Sequence, residues 1–227
     1  MLTIKSCLTA IFLCSLLSQI NAQLNAEIGV IGGMIRPSLH NFEGSAIAPY
    51  DPMQPAPMGG LGFSFRLFKP LYFRTEFIYE ERRWEPANVT VVFPEDGTLG
   101  LASISRRYPF LTMPFLLELR YGKRVQLFGN TGVNPAYRLP GVITSNPEGG
   151  VPAGWLDFDD PQSKFDLSWV FGGGFNVGLF RQIKIGAQFR YFRSWTTTGV
   201  NGPTGYFLKY KGWIFSTGCY YNLGQVR

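Results

Sequence analysis

Histidine and cysteine are almost missing from this 227-residue chain: His40 is the one histidine, and of three cysteines Cys7 and Cys14 lie near the N-terminus, which leaves Cys219 alone in the rest. A transition-metal site therefore has very few ligands to draw on. An internal disulfide has no second cysteine beyond the N-terminal stretch, even in an oxidising compartment. Long apolar runs are equally scarce. The stretch at 8–17 falls short of the ~20 residues that a spanning helix needs, and nothing later exceeds it, so membrane residence would have to come from strands. Charge is not gathered into runs either. The 21 basic and 15 acidic residues, +6 overall, are spread along the chain and leave no footprint for a nucleic acid.

What is present begins with a targeting segment. Lys5 opens it, residues 8–17 form its apolar centre, and Asn21-Ala22 precede an expected cut before Gln23. Residues 1–22 are thus set apart as a signal peptide, and 23–227 form one barrel domain, its 205 residues lying within the usual range of a single all-β unit. Loss of Lys5 lowers the net charge to +5. No cysteine stands at the cut to accept a lipid.

Strand-like segments fall at 24–34, 60–68, 71–79, 112–121, 125–134, 165–179, 183–192 and 210–223, each bounded by Gly, Pro, Asn or charged clusters. Their connections alternate. Short ones lie at Lys69-Pro70, 122–124 and 180–182, whereas 35–59, 80–111, 135–164 and 193–209 are long and carry no strand pattern. Four such structureless stretches would be exceptional in one compact soluble domain. They are expected of a transmembrane barrel with an even strand number, tight periplasmic turns and extended outer loops. The expected fold is an all-β, eight-stranded antiparallel up-and-down transmembrane barrel.

The period of two gives each strand its faces. Leu61, Phe63, Phe65 and Leu67 alternate with Gly62, Ser64 and Arg66. Phe73, Thr75, Phe77 and Tyr79 oppose Arg74, Glu76 and Glu80. Ile185, Ala187, Phe189 and Tyr191 oppose Lys184, Gly186, Gln188 and Arg190. Charges in mid-strand are costly against a sandwich core and ordinary in a polar lumen. On 165–178, Asp166, Ser168, Gly172, Gly174, Asn176 and Gly178 share the inner face. Eight strands enclose only enough room for side chains, so glycine is expected opposite the long ionic residues.

Those inward ions must be paired, because an isolated buried charge costs several kcal/mol. Arg66, Arg74, Arg120, Lys184 and Arg190 are set against Glu27, Glu76, Glu118 and Asp166, with Glu76 in diagonal reach of Arg66 or Arg74. Such a network reads as a structural plug or as a proton or ion path. Tyr72, Tyr79, Tyr121, Tyr191, Tyr210, Tyr221, Trp195 and Trp213 lie near strand ends, where aromatic girdles form; ordinary surface aromatics are the alternative.

Other motifs carry little chemistry. The glycines of 172–178 have some of the spacing of a dinucleotide turn, but they sit in a strand pattern with no helix following. The acidic run 155–160 fits no known calcium loop, and Asn88-Val-Thr90 matches the glycosylation acceptor pattern. The one catalytic candidate is His40 with Ser38 or Ser45, in the first long loop. No cofactor is implied, and no catalytic, cofactor or metal residue is assigned.

Residues 108–122, Tyr-Pro-Phe-Leu-Thr-Met-Pro-Phe-Leu-Leu-Glu-Leu-Arg-Tyr-Gly, resemble a signature strand of the PorT-like outer-membrane β-barrel proteins of Bacteroidetes. Val125-Gln-Leu-Phe-Gly129-Asn-Thr-Gly132, the glycine-rich 171–178, and Ala187-Gln-Phe-Arg190-Tyr191 follow in the family's order. The resemblance spans about 104–223. It implies an eight-stranded barrel in a Gram-negative outer membrane, and its namesake takes part in type IX secretion. The turn after the arginine strand, 194–199, and the end Gly224-Gln-Val-Arg227 depart from the pattern, and no functional residue carries over.

Four readings follow. They are a non-enzymatic outer-membrane barrel interacting through its outer loops; the same barrel as a secretion or assembly accessory; a loop-based lipid-modifying enzyme; and a soluble carrier of opposite sidedness. Charges opposite the apolar stripes oppose the last. Expected partners are outer-membrane lipid and an envelope or secretion complex; nucleic acid is not expected, and the sequence names no small-molecule ligand.

Overall fold

The computed structural model describes residues 26–41, 54–92, 99–148, 163–196, 198–200 and 206–224. The expected signal peptide, Ser45 and the acidic run 155–160 lie outside them. The strands are β1 (Ala26–Asn41), β2 (Ala56–Phe68), β3 (Leu71–Val92), β4 (Leu99–Thr112), β5 (Phe115–Gly122), β6 (Val125–Arg138), β7 (Val142–Glu148), β8 (Phe165–Gly178), β9 (Ile183–Ser194), β10 (Thr198–Val200) and β11 (Tyr206–Asn222).

Neighbours in the ring are antiparallel and mostly consecutive: β1–β2, β2–β3, β3–β5, β5–β6, β6–β8, β8–β9 and β9–β11. Pairing of β1 with β11, Glu27 opposite Asn222, closes it. β4 and β5 form one stave, since β3 pairs with β5 over Leu71–Thr75 and with β4 from Ile78 onward. The result is a closed eight-stranded antiparallel barrel, as the sequence pattern leads one to expect. β1 begins and β11 ends on the side of the short turns, where Gly122 takes a φ of 115° that a residue with Cβ rarely adopts.

The structure departs from expectation in the long connections, which are not structureless. β1 runs on to Asn41, β3 reaches Val92, β4 begins at Leu99, and β7 adds a third strand against β4, Leu101 opposite Glu148. The continuing strands pair with one another beyond the barrel rim, and Val89-Thr90-Val91-Val92 favours extension. His40 accordingly lies on β1, opposite Lys209, rather than in a loop. Where 112–121 reads as one strand, Met113-Pro114 interrupts it. Proline has no N–H to give, yet its carbonyl accepts from the Glu76 N–H at 3.3 Å and Met113 N–H donates to Pro135 O at 3.0 Å, so the stave stays joined.

Sidedness follows the alternation. Phe63, Phe77, Leu117, Phe171, Phe189 and Phe215 point outward and exposed, whereas Ser64, Glu76, Leu116, Val170, Arg190 and Ile214 are buried within. The inside is less uniformly polar than expected. Ile31, Ile35, Ile78, Leu116, Val170, Phe192 and Ile214 form an apolar cluster in the interior.

Candidate functional site

The interior charges are the site. β3 supplies the most, because Arg74, Glu76, Glu80 and Arg82 keep one parity on one strand, and each is at most 1% exposed. β5 contributes Glu118 and Arg120, β9 Lys184 and Arg190, β1 Glu27 and β8 Asp166.

Seven charged residues link into one chain from the turn end inward. Lys184 Nζ lies 2.5 Å from Glu27 Oε1, and Arg120 Nη1 lies 2.6 Å from Glu27 Oε2. Ser64 Oγ donates to Glu27 at 3.2 Å and accepts from Arg120 Nη2 at 2.8 Å. Arg120 also binds Glu118 through Nε, and its guanidinium stands 4.1 Å from the Tyr72 ring centre. Glu118 passes contact to Arg74 at 3.4 Å, and Arg74 Nε donates to Glu76 at 2.7 Å. Arg74 reaches the Tyr220 hydroxyl as well. Arg190 clasps both Glu76 oxygens, at 2.8 Å through Nη1 and also through Nη2, while its Nε donates to Gln188 at 3.1 Å. Gln188 Nε2 donates to Ser216 at 2.8 Å and ends the path.

A second cluster lies farther along β3. Arg82 Nη1 is 3.0 Å from Asp166 Oδ2, and its Nη2 is 2.9 Å from Glu80 Oε1. Asp166 accepts from Thr196 at 2.8 Å. Around the same guanidinium stand the rings of Phe110 at 4.0 Å, Tyr210 at 4.4 Å and Phe192 at 5.5 Å. This arrangement satisfies a cation by two carboxylates and three aromatic rings.

Of the nine residues singled out from sequence, Glu27, Arg74, Glu76, Glu118, Arg120, Lys184 and Arg190 lie in the first cluster and Asp166 in the second. Arg66 is half-buried at the turn end, beside the register shift between Arg66 and Phe68. Glu76 takes Arg74 and Arg190 as partners, the latter from across the barrel. Sequence reasoning missed Arg82, having ended the strand at Tyr79. The parity Arg74, Glu76, Ile78, Glu80, Arg82 was the available signal. It also placed Tyr72 and Tyr210 in the girdles; Tyr72 faces Arg120, and Tyr210 is buried against Arg82. Even spacing from Arg74 inward, and from Ile214, sends both rings inside. Tyr79, Tyr121, Trp195, Trp213 and Tyr221 do point outward and exposed.

Glycine opposes arginine on the inner face, as expected. Gly172 faces Arg190 across β8 and β9, and a Cβ there would come within 2.8 Å of Arg190 Cγ. Of the catalytic candidate, Ser38 Oγ donates to the Lys211 carbonyl at 3.2 Å.

Comparison with known proteins places this architecture. The OprG outer membrane protein of Pseudomonas aeruginosa superposes with a TM-score of 0.51 at 14% identity, covering 88% of this chain and 97% of that one. Neisserial surface protein A gives 0.48 at 11% identity, with 87% and 97% covered. Ail, the attachment invasion locus protein of Yersinia pestis, gives 0.41 at 11% identity, with 87% and 99% covered. Among curated proteins none matches the sequence. A family model, the outer membrane protein beta-barrel domain, matches residues 18–198, and β11, past that match, completes the wall. The chain belongs to the outer membrane protein β-barrel domain family, whose place is the bacterial outer membrane.

Proposed function

We propose that the protein is a non-enzymatic integral barrel with a lumen filled by side chains, acting through the structure it raises beyond the outer leaflet. The observation that carries this reading is the unbroken ionic path from Lys184 to Arg190, in which every carboxylate contacts two cations. Paired so, the charges serve the wall they hold together. Removing one partner of a buried pair is strongly destabilising, which suits a plug better than a path that must release its ions. The extended β3–β4–β7 sheet offers the surface for partners. Residues 1–22 act as the cleaved export signal and 23–227 as the barrel.

Conductance in planar bilayers tests the plug. The expected record has no large, stable open state, and such a state would refute the filled lumen. The export reading predicts an N-terminus at Gln23 in protein recovered from the envelope, by mass.

A second reading, an accessory of secretion or envelope assembly, rests on the PorT-like motifs over 104–223 and with them on a Bacteroidetes origin. Co-purification with a large envelope complex and a secretion defect on deletion would favour it. Loop-based lipid modification is the third. It rests on His40, which stands at the loop end of β1 rather than in a loop, and is dismissed if His40→Ala leaves the lipid profile unchanged.

A further inference from the structure

The outer face of β1, β11 and β9 changes character at one level. Val30 and Met34 on β1, Phe215 and Trp213 on β11, and Ile185 and Phe189 on β9 are exposed and apolar. The next outward positions toward the loop end are Arg36, Lys211 and, past Tyr191, Arg193. Lys211 stands directly opposite Arg193, and Arg36 directly opposite Trp213, which places Arg36 diagonal to Lys211. Like charges set opposite each other across a ladder destabilise it. The carboxylates that the structure places are committed elsewhere: Glu27, Glu76, Glu80, Glu118 and Asp166 are buried inside and Glu81 binds Arg83.

The level is informative. About ten residues separate each cation from the turn end of its strand, and at about 3.3 Å per residue with a tilt near 40° that is a rise of roughly 25 Å, the height of the apolar band. Below the cations Trp213 stacks on Phe189 at 4.8 Å and meets Tyr191 edge-on at 4.7 Å. Rings in that position mark the headgroup region. The neighbouring β8 shows no such change, keeping Phe171, Trp169 and Phe165 outward to its loop end.

We propose that Arg36, Arg193 and Lys211 form a binding site for the phosphate of an outer-leaflet lipid headgroup. The planar guanidinium forks and the ammonium supply donors to the phosphate oxygens, while Trp213 and Tyr191 hold the boundary between headgroup and acyl chain. The site rests on the membrane orientation given above and is independent of whether the lumen is plugged.

The test uses the full chain folded in detergent micelles, with bound lipid counted by native mass spectrometry. Phosphatidic acid is the probe, phosphatidylcholine of the same chains the neutral comparison, and inorganic phosphate the competitor. Wild type is expected to retain phosphatidic acid preferentially. Arg36→Gln/Arg193→Gln/Lys211→Gln should lower that affinity by about fivefold per side chain, whereas Lys123→Gln/Arg124→Gln, at the turn end, should leave it unchanged. An undiminished preference in the triple variant, its loss in the turn variant, or full displacement by inorganic phosphate at equal concentration would each overturn the site. Folding of each variant is read separately from its heat-dependent mobility in electrophoresis, so failure of the barrel is distinguishable from failure of the site. Arg193→Gln alone serves if the triple variant does not fold.

Discussion

Glu76 is the residue on which the interior balance turns. It lies between Arg74 and Arg190, and Arg190 bonds both its oxygens. Glu76→Gln keeps the shape but leaves two buried guanidinium groups short of an anion. Breaking a buried pair in this way costs about 3–5 kcal/mol. The expected outcome is a lower urea midpoint for unfolding from lipid vesicles, and an unmoved midpoint would mean that the pair is solvated. The neutral replacement Glu76→Leu/Arg190→Met should recover part of the loss, since an ion pair exchanged for apolar bulk is often neutral. Gly172 supports the same contact from the opposite strand. Gly172→Val would force a side chain against Arg190 and destabilise by about 1–3 kcal/mol, the usual range for overpacking, which the same urea series would read.

At the scale of elements, the extended sheet is a separate question from the barrel wall. Ala102 on β4 lies between Val89 of β3 and Pro147 of β7, so Ala102→Pro strips an N–H from the middle of a ladder. The wall begins several residues away, at Thr112 opposite Ile78. Trypsin is therefore expected to cut at Arg106 and Arg107 in the variant while the heat-dependent shift of the barrel persists. Loss of that shift would show that wall and extension fold as one unit. The contrast also explains what the sequence made legible. The eight wall segments announce themselves because lipid on one side and a packed lumen on the other impose strict alternation, as in Phe73–Tyr79 against Arg74–Glu80. Beyond the rim neither solvent demands it. The continuation of β3 to Val92 and the short β7 carried no period to read. The ionic site was legible in its members but less so in its partners. Parity put Arg190 and Glu76 inside, whereas their meeting across the lumen depends on barrel tilt, which local pattern does not encode.

Taken whole, the molecule exchanges the usual arrangement of a soluble protein: Phe189, Phe215 and Trp213 outside, Arg74, Arg82 and Arg190 at most 1% exposed inside. An Arg or Lys turned to lipid at the bilayer midplane would cost about 2–4 kcal/mol, so inverting the register of a single stave, which exchanges its faces, would set several such penalties against the fold. This makes the depth of each outward ring a consequence of the ionic interior. A variant retaining Trp213 alone among the five tryptophans, folded into vesicles of lipids brominated at successive acyl positions, reports that depth. Trp213 pairs with Arg36 at the loop-end boundary, so quenching should be strongest with bromine close to the headgroup and weaker with bromine near the chain terminus. Retaining Trp169 instead, two residues below Leu167 on β8 and half exposed in the same outward sense, should give quenching by lipid again, with little by aqueous acrylamide. Quenching of both by acrylamide and by neither brominated lipid would mean that water covers the aromatic face, and the sidedness from which the ionic interior follows would be lost.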